Sequence, residues 1–310
     1  MIPRPRLRPL SALSRGWQRQ QQQQQQQWPA RPSSSSSASP ARPNTTDQQD
    51  LPAPPPQRWL SDLHARLGKC IMFGCTPAQV TEAGAVLRAL AGEWRALSAG
   101  AEGFLTGGGG GLRGLEGQQV VWGEQDSFRH VNNVQYVRWA ESSRVNWATH
   151  LARAQRDPER ARRWAQLMTP DAVGLILKSI RVDYKMPLTY PDRVSVYHRL
   201  RFPPSSPEQQ RRPSSLVLDA AVFSHRHRRV CARVEEDVVI YDYRAARKTD
   251  MPPFMRDVLE ETFAAQLRET ARARRRVWEL VRAVEALEGG TWDRPDAVED
   301  LGGAAGVGTK

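Results

Sequence analysis

The sequence predicts an α+β domain: an antiparallel sheet covered by one long helix, with further helices added on its N- and C-terminal sides. Three observations carry this. Apolar residues recur at every second position in four successive runs, the period of a strand with one buried face. These are Ile176, Ile180, Val182 and Tyr184; Val194, Val196, His198, Leu200 and Phe202; Leu216, Leu218, Ala220 and Val222; and Val230, Ala232, Val234, Val238 and Ile240, with a break near Glu236. A run at helical spacing precedes them: Val134, Val137, Trp139, Ala140, Val145 and Trp147. The resulting order, strand, helix and then four strands, leaves one major helix to cover the sheet, an α+β arrangement.

The chain opens on residues 1–50, a targeting and low-complexity segment expected to be disordered. The first 17 residues lack acids, are rich in Arg and Ser, and space Leu7, Leu10, Leu13 and Trp17 three or four apart. That is the composition of a mitochondrial transit peptide and not of a secretory signal, which needs an unbroken apolar core. The alternative is a plain basic arm, since Pro3, Pro5 and Pro9 weaken an early helix. A Gln run (Gln20 to Gln27), a Ser run (Ser33 to Ser37) and the prolines up to Pro56 then form a spacer with too little apolar surface to offset its ordering entropy.

Residues 51–111 read as a helical attachment and a glycine-rich hinge. Trp59, Leu60, Leu63 and Leu67 start one helix. Thr76 and Pro77 cap a second, on which Val80, Ala83, Val86, Leu87, Leu90 and Trp94 make one apolar stripe. Gly107 to Gly111 lack the Lys and Ser/Thr of a phosphate loop and precede a strand instead of following one, so a hinge is expected. Residues 112–250 hold the sheet and long helix. Val120 to Trp122 read as a strand, Gly123 to His130 as a polar turn, and 151–168 as a solvated continuation of the long helix broken near Pro158. Turns at Pro187 to Asp192, Pro203 to Pro213 and His225 to Arg229 suit an antiparallel meander. Residues 251–310 give a helix from about Pro253 to Glu288 and a flexible tail.

Composition excludes several classes. No run approaches the apolar length of a membrane-spanning helix. The net charge of +12 over 310 residues is uneven, because residues 1–46 contain seven Arg and no acid. The remainder is only mildly basic, so nucleic acid is not expected as a partner of the fold. Three cysteines without a CxxC pair, and histidines without ligand spacing, argue against a disulfide framework and against a metal site. There is no GxSxG elbow. Arg272, Arg274, Arg275 and Arg276 read as a solvated helix face, with CoA phosphates or RNA as alternatives.

The chemistry is concentrated in Val120 to Trp147, VVWGEQDSFRHVNNVQYVRWAESSRVNW. Trp122, Glu124, Asp126, His130, Val131, Asn132, Asn133, Tyr136, Glu141 and Arg144 fall in register with a known signature. The stretch resembles that of hotdog-fold acyl-CoA thioesterases of the 4-hydroxybenzoyl-CoA thioesterase type, and the resemblance extends over roughly Gln118 to Tyr243. One position departs: Arg129 stands where the family usually has glycine. The resemblance implies a hotdog fold, an antiparallel sheet wrapped around one long helix. It also implies thioester hydrolysis on acyl-CoA or acyl-carrier protein, no cofactor, and at least a homodimer, because pairing of sheets closes an open edge.

Thioester hydrolysis needs a base or nucleophile at the carbonyl carbon and a donor for the developing oxyanion. Asp126, in a turn before the helix, can be the first. The unpaired N–H groups near Asn132 to Val134 can be the second, at the positive end of the helix dipole. The candidate catalytic residues are thus Asp126, His130 and Asn133, and the candidate substrate contacts are Asn132, Val134, Tyr136 and Glu141. Each has a plainer reading. Asp126 can form an Asx turn, Asn132 or Asn133 can cap the helix, and His130 can fix the loop or orient Asp126. Glu141 and Arg144 can form a helix ion pair, with Glu141 as a second catalytic carboxylate the alternative. The expected function is thioester hydrolysis in the mitochondrial matrix. The competing reading is a hotdog scaffold without catalysis that serves as a basic mitochondrial interaction or RNA-associated protein.

Overall fold

The computed structural model describes residues 51–107 and 113–299, so the expected targeting and low-complexity segment (residues 1–50), Gly108 to Leu112 and the last eleven residues lie outside it. Helix α1 (Trp59–Met72) buries Trp59, Leu60, Leu63, Leu67 and Cys70. Helix α2 (Pro77–Gly100) starts at a reciprocal cap: the Thr76 hydroxyl accepts from the Gln79 N–H, and Gln79 Oε1 accepts from the Thr76 N–H at 2.9 Å. Its buried stripe is Ala83, Val86, Leu90, Trp94 and Leu97, whereas Val80 and Leu87, expected on that stripe, are exposed. The long C-terminal helix α6 (Pro253–Gly290) completes this layer. The two helices approach closely at Gly100 of α2, where a Cβ would stand 2.9 Å from that of Ala273. The three helices share a core with Tyr197, Ala221 and Phe223 and so cover the back of the sheet.

Order begins earlier than Trp59. The proline-rich strap from Leu51 to Pro56 is fastened to α6, with Arg274 Nη1 donating to Pro52 O and Trp278 Nε1 to Ala53 O, both at 2.9 Å. Arg272 pairs with Glu269, Arg276 with Glu93, and Arg274 also donates to Ala101 O. Arg274 and Arg276 therefore tie α6 to other segments, and Arg272 is spent on a pair within α6, so these three are not a free basic face.

Strands β1 (Gly114–Val120), β2 (Val173–Tyr184), β3 (Asp192–Leu200), β4 (Ser215–Ser224) and β5 (Arg229–Asp242) form one antiparallel sheet in the order β1-β3-β4-β5-β2, with the short β6 (Arg247–Lys248) beside β5. The expected meander holds only for β3, β4 and β5. β2 pairs with β5, from Val173 opposite Asp242 to Tyr184 opposite Ala232, so the chain crosses the sheet between β2 and β3. The first strand also lies earlier than expected: it ends at Val120, and Trp122–Glu124 form a single 3-10 turn.

Helix α3 (Asn133–Arg153) lies in the concave face. Its first half packs Tyr136, Trp139 and Ala140 on Val194, Val196, Val222 and Val234. Its second half packs Trp147 and Leu151 on Leu216, Leu218, Val238 and Ile240, where Met255 and Leu259 of α6 close the end. The sheet thus curls around one helix, the hotdog arrangement, with helices added at both termini. Residues 151–168 are not a solvated continuation: α3 stops at Arg153, and α4 (Pro158–Gln166), capped by Asp157, buries Trp164 in the same core. The four-residue α5 (Pro207–Gln210) completes the helices among the described residues. All three cysteines are free, Cys70 and Cys231 buried, and burial pushes the Cys231 thiol up to about 12.

A polar chain runs through this core. Ser143 Oγ lies 2.8 Å from Val196 O and 2.9 Å from His198 Nδ1, His198 Nε2 lies 3.2 Å from Glu236 Oε2, and Arg144 Nη1 donates to Glu236 Oε1 at 2.6 Å. The break in alternation near Glu236 is this carboxylate at an inward position. Burial raises its pKa, but hydrogen bonds and charge from His198 and Arg144 outweigh that and hold it below the usual value. A buried anion must be matched, so Arg144 turns to the sheet. The expected Glu141–Arg144 pair is therefore absent among the described residues, and Glu141 faces solvent.

Candidate active site

The loop between β1 and α3 is a closed turn. The Asp126 N–H donates to His130 O at 2.9 Å and the Arg129 N–H to Asp126 O at 3.0 Å, while Gln125 and Val131 bridge in antiparallel fashion. Arg129 adopts a left-handed φ of 63°, the conformation for which glycine is suited. The turn thus keeps a glycine-type geometry with a side chain in it. Val131 N–H donates to Leu188 O and Asn132 N–H to Glu124 O, each at 2.8 Å, which ties the loop to the segment after β2 and to its own start.

A cleft of about 600 Å³ opens at this end of the sheet. Asp126, Phe128, His130 and Val131 of the loop line one side, with Asn132, Asn133 and Tyr136 at the start of α3. Tyr184, Lys185, Met186 and Pro187 line the other. Five expected site residues, Asp126, His130, Asn132, Asn133 and Tyr136, therefore share one cleft. Val134 and Glu141 do not line it; both are exposed on α3.

The N–H groups at the helix start are not all free. Asn132 is the N-cap and its Oδ1 accepts from the Val134 N–H at 3.0 Å; the Asn132 N–H is taken by Glu124 O and the Gln135 N–H by Asn132 O. Of the N–H groups from Asn132 to Val134, only that of Asn133 lacks an acceptor among the described residues. The broader expectation of open donors across Asn132 to Val134 narrows to this one, at the positive end of a 21-residue helix. Tyr184 Oη donates to Asn133 O at 3.1 Å and so steadies the same peptide.

Asp126 is half-buried, and its Oδ1 accepts from the Phe128 N–H at 2.9 Å in an Asx turn, which leaves Oδ2 for another partner. His130 is exposed, and its tie to Asp126 runs through the main chain; among the described residues its ring has no hydrogen bond. Tyr136 is 2% exposed, and burial pushes its phenol above the ordinary value. Sequence reasoning missed Phe128, Lys185, Met186 and Pro187, and read Tyr184 only as a strand residue. Its place at the end of an alternating run was the one available signal, but only the β2–β5 pairing brings that end beside α3.

Residues 120–259 match the family model of the thioesterase-like superfamily. Among solved structures, the chain is similar to the PA2801 protein from Pseudomonas aeruginosa, with 23% identity over 47% of this chain and 96% of that one and a TM-score of 0.36. It is also similar to a thioesterase from Thermus thermophilus complexed with coenzyme A and Zn (18% identity, 48% and 98% covered, TM-score 0.35). A third is a 1,4-dihydroxy-2-naphthoyl-CoA thioesterase from Synechocystis (14% identity, 46% and 91% covered, TM-score 0.36). Comparison with curated protein sequences gives no match.

Proposed function

We propose that this protein hydrolyses acyl thioesters of CoA or acyl-carrier protein, with Asp126 as the base. The observation that carries the reading is the meeting, in one cleft, of a half-buried carboxylate with a spare oxygen and an α-helix start with one open N–H. Its place in the region that matches the thioesterase-like superfamily supports the choice of thioesters.

Asp126 Oδ2 takes a proton from water as the water oxygen attacks the thioester carbon. The carbonyl oxygen gains negative charge, which the Asn133 N–H and the helix dipole stabilise. Collapse breaks the carbon–sulfur bond, and the proton held by Asp126 passes to the leaving thiolate, giving acid and thiol. His130, at the lip of the cleft, guides the incoming water. Release of thiol from acyl-CoA and acyl-carrier donors by the full chain, with and without RNA competitor, tests the reading; no release from any donor overturns it.

The working form in this reading is a homodimer in the mitochondrial matrix. β2 is an edge strand, and Trp122, Phe128 and Tyr184 beside the cleft are exposed, an apolar rim that a second copy would cover. Light scattering that finds an active monomer contradicts this.

A further inference from the structure

One end of the sheet presents cations that the fold leaves unmatched. Val120 of β1 lies opposite Asp192 of β3, Val194 of β3 opposite Ser224 of β4, and Ser224 opposite Arg229 of β5, so these strand ends stand side by side. They and the loops beside them expose Val121, Tyr190, Arg193, Arg226, Arg228 and Arg229. Elsewhere guanidinium groups meet carboxylates, as Arg144 meets Glu236, Arg201 meets Asp219 and Arg233 meets Glu102. Among the described residues no ion pair includes Arg193, Arg226, Arg228 or Arg229. The carboxylate at this turn, Asp192, is buried: its Oδ1 accepts from the Arg193 N–H at 2.6 Å and the Arg226 N–H at 3.0 Å, and its Oδ2 from Ser224 Oγ at 2.5 Å. It shapes the turn through main-chain N–H groups and pairs with neither guanidinium. Arg228 Nη1 lies 3.5 Å from His64 Nε2, which brings no negative charge.

Four adjacent strands about 4.8 Å apart set these groups along a row of about 14 Å, with the apolar side chains toward its β1 and β3 end. A row of that length suits a flat surface and not a single phosphate. Val121 is 50% and Tyr190 49% exposed, and both lie outside the rim assigned above to a second copy. Cations beside an exposed aliphatic group and an exposed phenol suit lipid headgroups and the acyl boundary beneath them. Nucleic acid fits less well, because Val121 has no ring on which a base could stack. We propose that this end of the sheet is a docking surface for an anionic lipid bilayer. The Lys185 and Met186 N–H groups of the cleft wall both donate to Cys231 O, two residues past Arg229, so a docked protein holds the cleft mouth beside the lipid. The proposal stands apart from the thioester reading and does not need it.

Vesicle sedimentation of the full chain tests it, with phosphatidylcholine vesicles against vesicles that also hold about 30 mol% phosphatidylglycerol. Because the arginines of residues 1–46 also attract anionic lipid, the comparison that decides is with Arg193→Gln/Arg226→Gln/Arg229→Gln, which keeps that segment intact. The triple variant should bind the anionic vesicles at least about tenfold more weakly at about 0.1 M salt, with an unchanged melting temperature. Arg193→Gln and Arg229→Gln singly, each expected to weaken binding about threefold, serve if the triple variant is unstable. Tyr190→Ser should lower the binding that persists at high salt. Equal binding of the triple variant and the unaltered chain overturns the proposal. So does a loss confined to single-stranded RNA or to an acidic protein, with vesicle binding unchanged.

Discussion

Arg144 of α3 reaches down to Glu236 of β5 at 2.6 Å, and the carboxylate it meets is wholly removed from solvent. Removing one partner leaves an unmatched buried charge. Arg144→Met should cost about 3–5 kcal/mol in urea unfolding, and Arg144→Met with Glu236→Leu should recover most of it. A single variant as stable as the parent would show that the pair does not hold the helix.

Acid should weaken the same contact. A carboxylate whose folded pKa lies below its unfolded value contributes stability that is complete above the unfolded value, near 4.5, and is lost as pH falls through the folded one. Ser143, Arg144, His198 and Val196 O face this cluster. Glu236→Gln should be less stable at neutral pH but lose less on going from pH 5 to pH 3. Parallel acid limbs in the two proteins would contradict this.

At the cleft, Asp126→Asn keeps the Asx turn but cannot take the proton from water. Turnover should fall roughly 10²- to 10⁴-fold with the melting temperature unchanged. An active, folded Asn variant removes Asp126 as the base.

Arg129 carries a left-handed φ that costs a residue with a side chain about 1–2 kcal/mol. Glycine gives back part of that through its freer unfolded chain. Arg129→Gly should therefore gain about 0.5–1 kcal/mol, measured by thermal melting, with hydrolysis retained. A loss of stability would mean that the arginine makes a contact that outweighs the strain.

Removal of residues 1–50 should leave a folded, active protein, because the strap from Leu51 onward is kept. Removal through Arg58 should lower the melting temperature, since Pro52 and Ala53 no longer receive Arg274 and Trp278. In cells the shorter deletion should also abolish mitochondrial import. Fluorescent fusions check this: mitochondrial signal from the truncated chain shows that the arm is not an address.

Local signals carried well in this sequence where local physics decides. The Thr76–Pro77 start of α2, the strands alternating at period two and the start of α6 at Pro253 are all set within a few residues. The motif around Asp126 placed five residues in one cleft. What stayed hidden depends on partners distant in sequence. The position of β2 at the far edge follows from pairing with β5, about 55 residues on, and no alternation pattern encodes a partner. Arg144 sits three residues from Glu141, yet the stronger demand comes from a carboxylate buried on another element. Val134 stands at the helix start where an open donor is expected, but its N–H is spent on the cap and its side chain is exposed.

The strap, α1 and α2 have their counterpart at the other end of the chain. Besides the strap contacts, Arg66 binds Glu288 at 2.5 Å and Gln79 Nε2 reaches Gly290 O at 3.0 Å. About 150 residues separate the end of α2 from the start of α6. At a synthesis rate of ~5–20 residues per second, the apolar faces around Leu63, Leu67, Leu90 and Leu97 wait roughly eight to thirty seconds for the start of the helix that covers them. Apolar surface left open for that long is an aggregation hazard. A transcript cut short before the codon for Pro253 would yield a back layer of α1 and α2 with no α6 to pack on, so late stop codons in this gene should cause aggregation even though they leave every residue of the cleft in place.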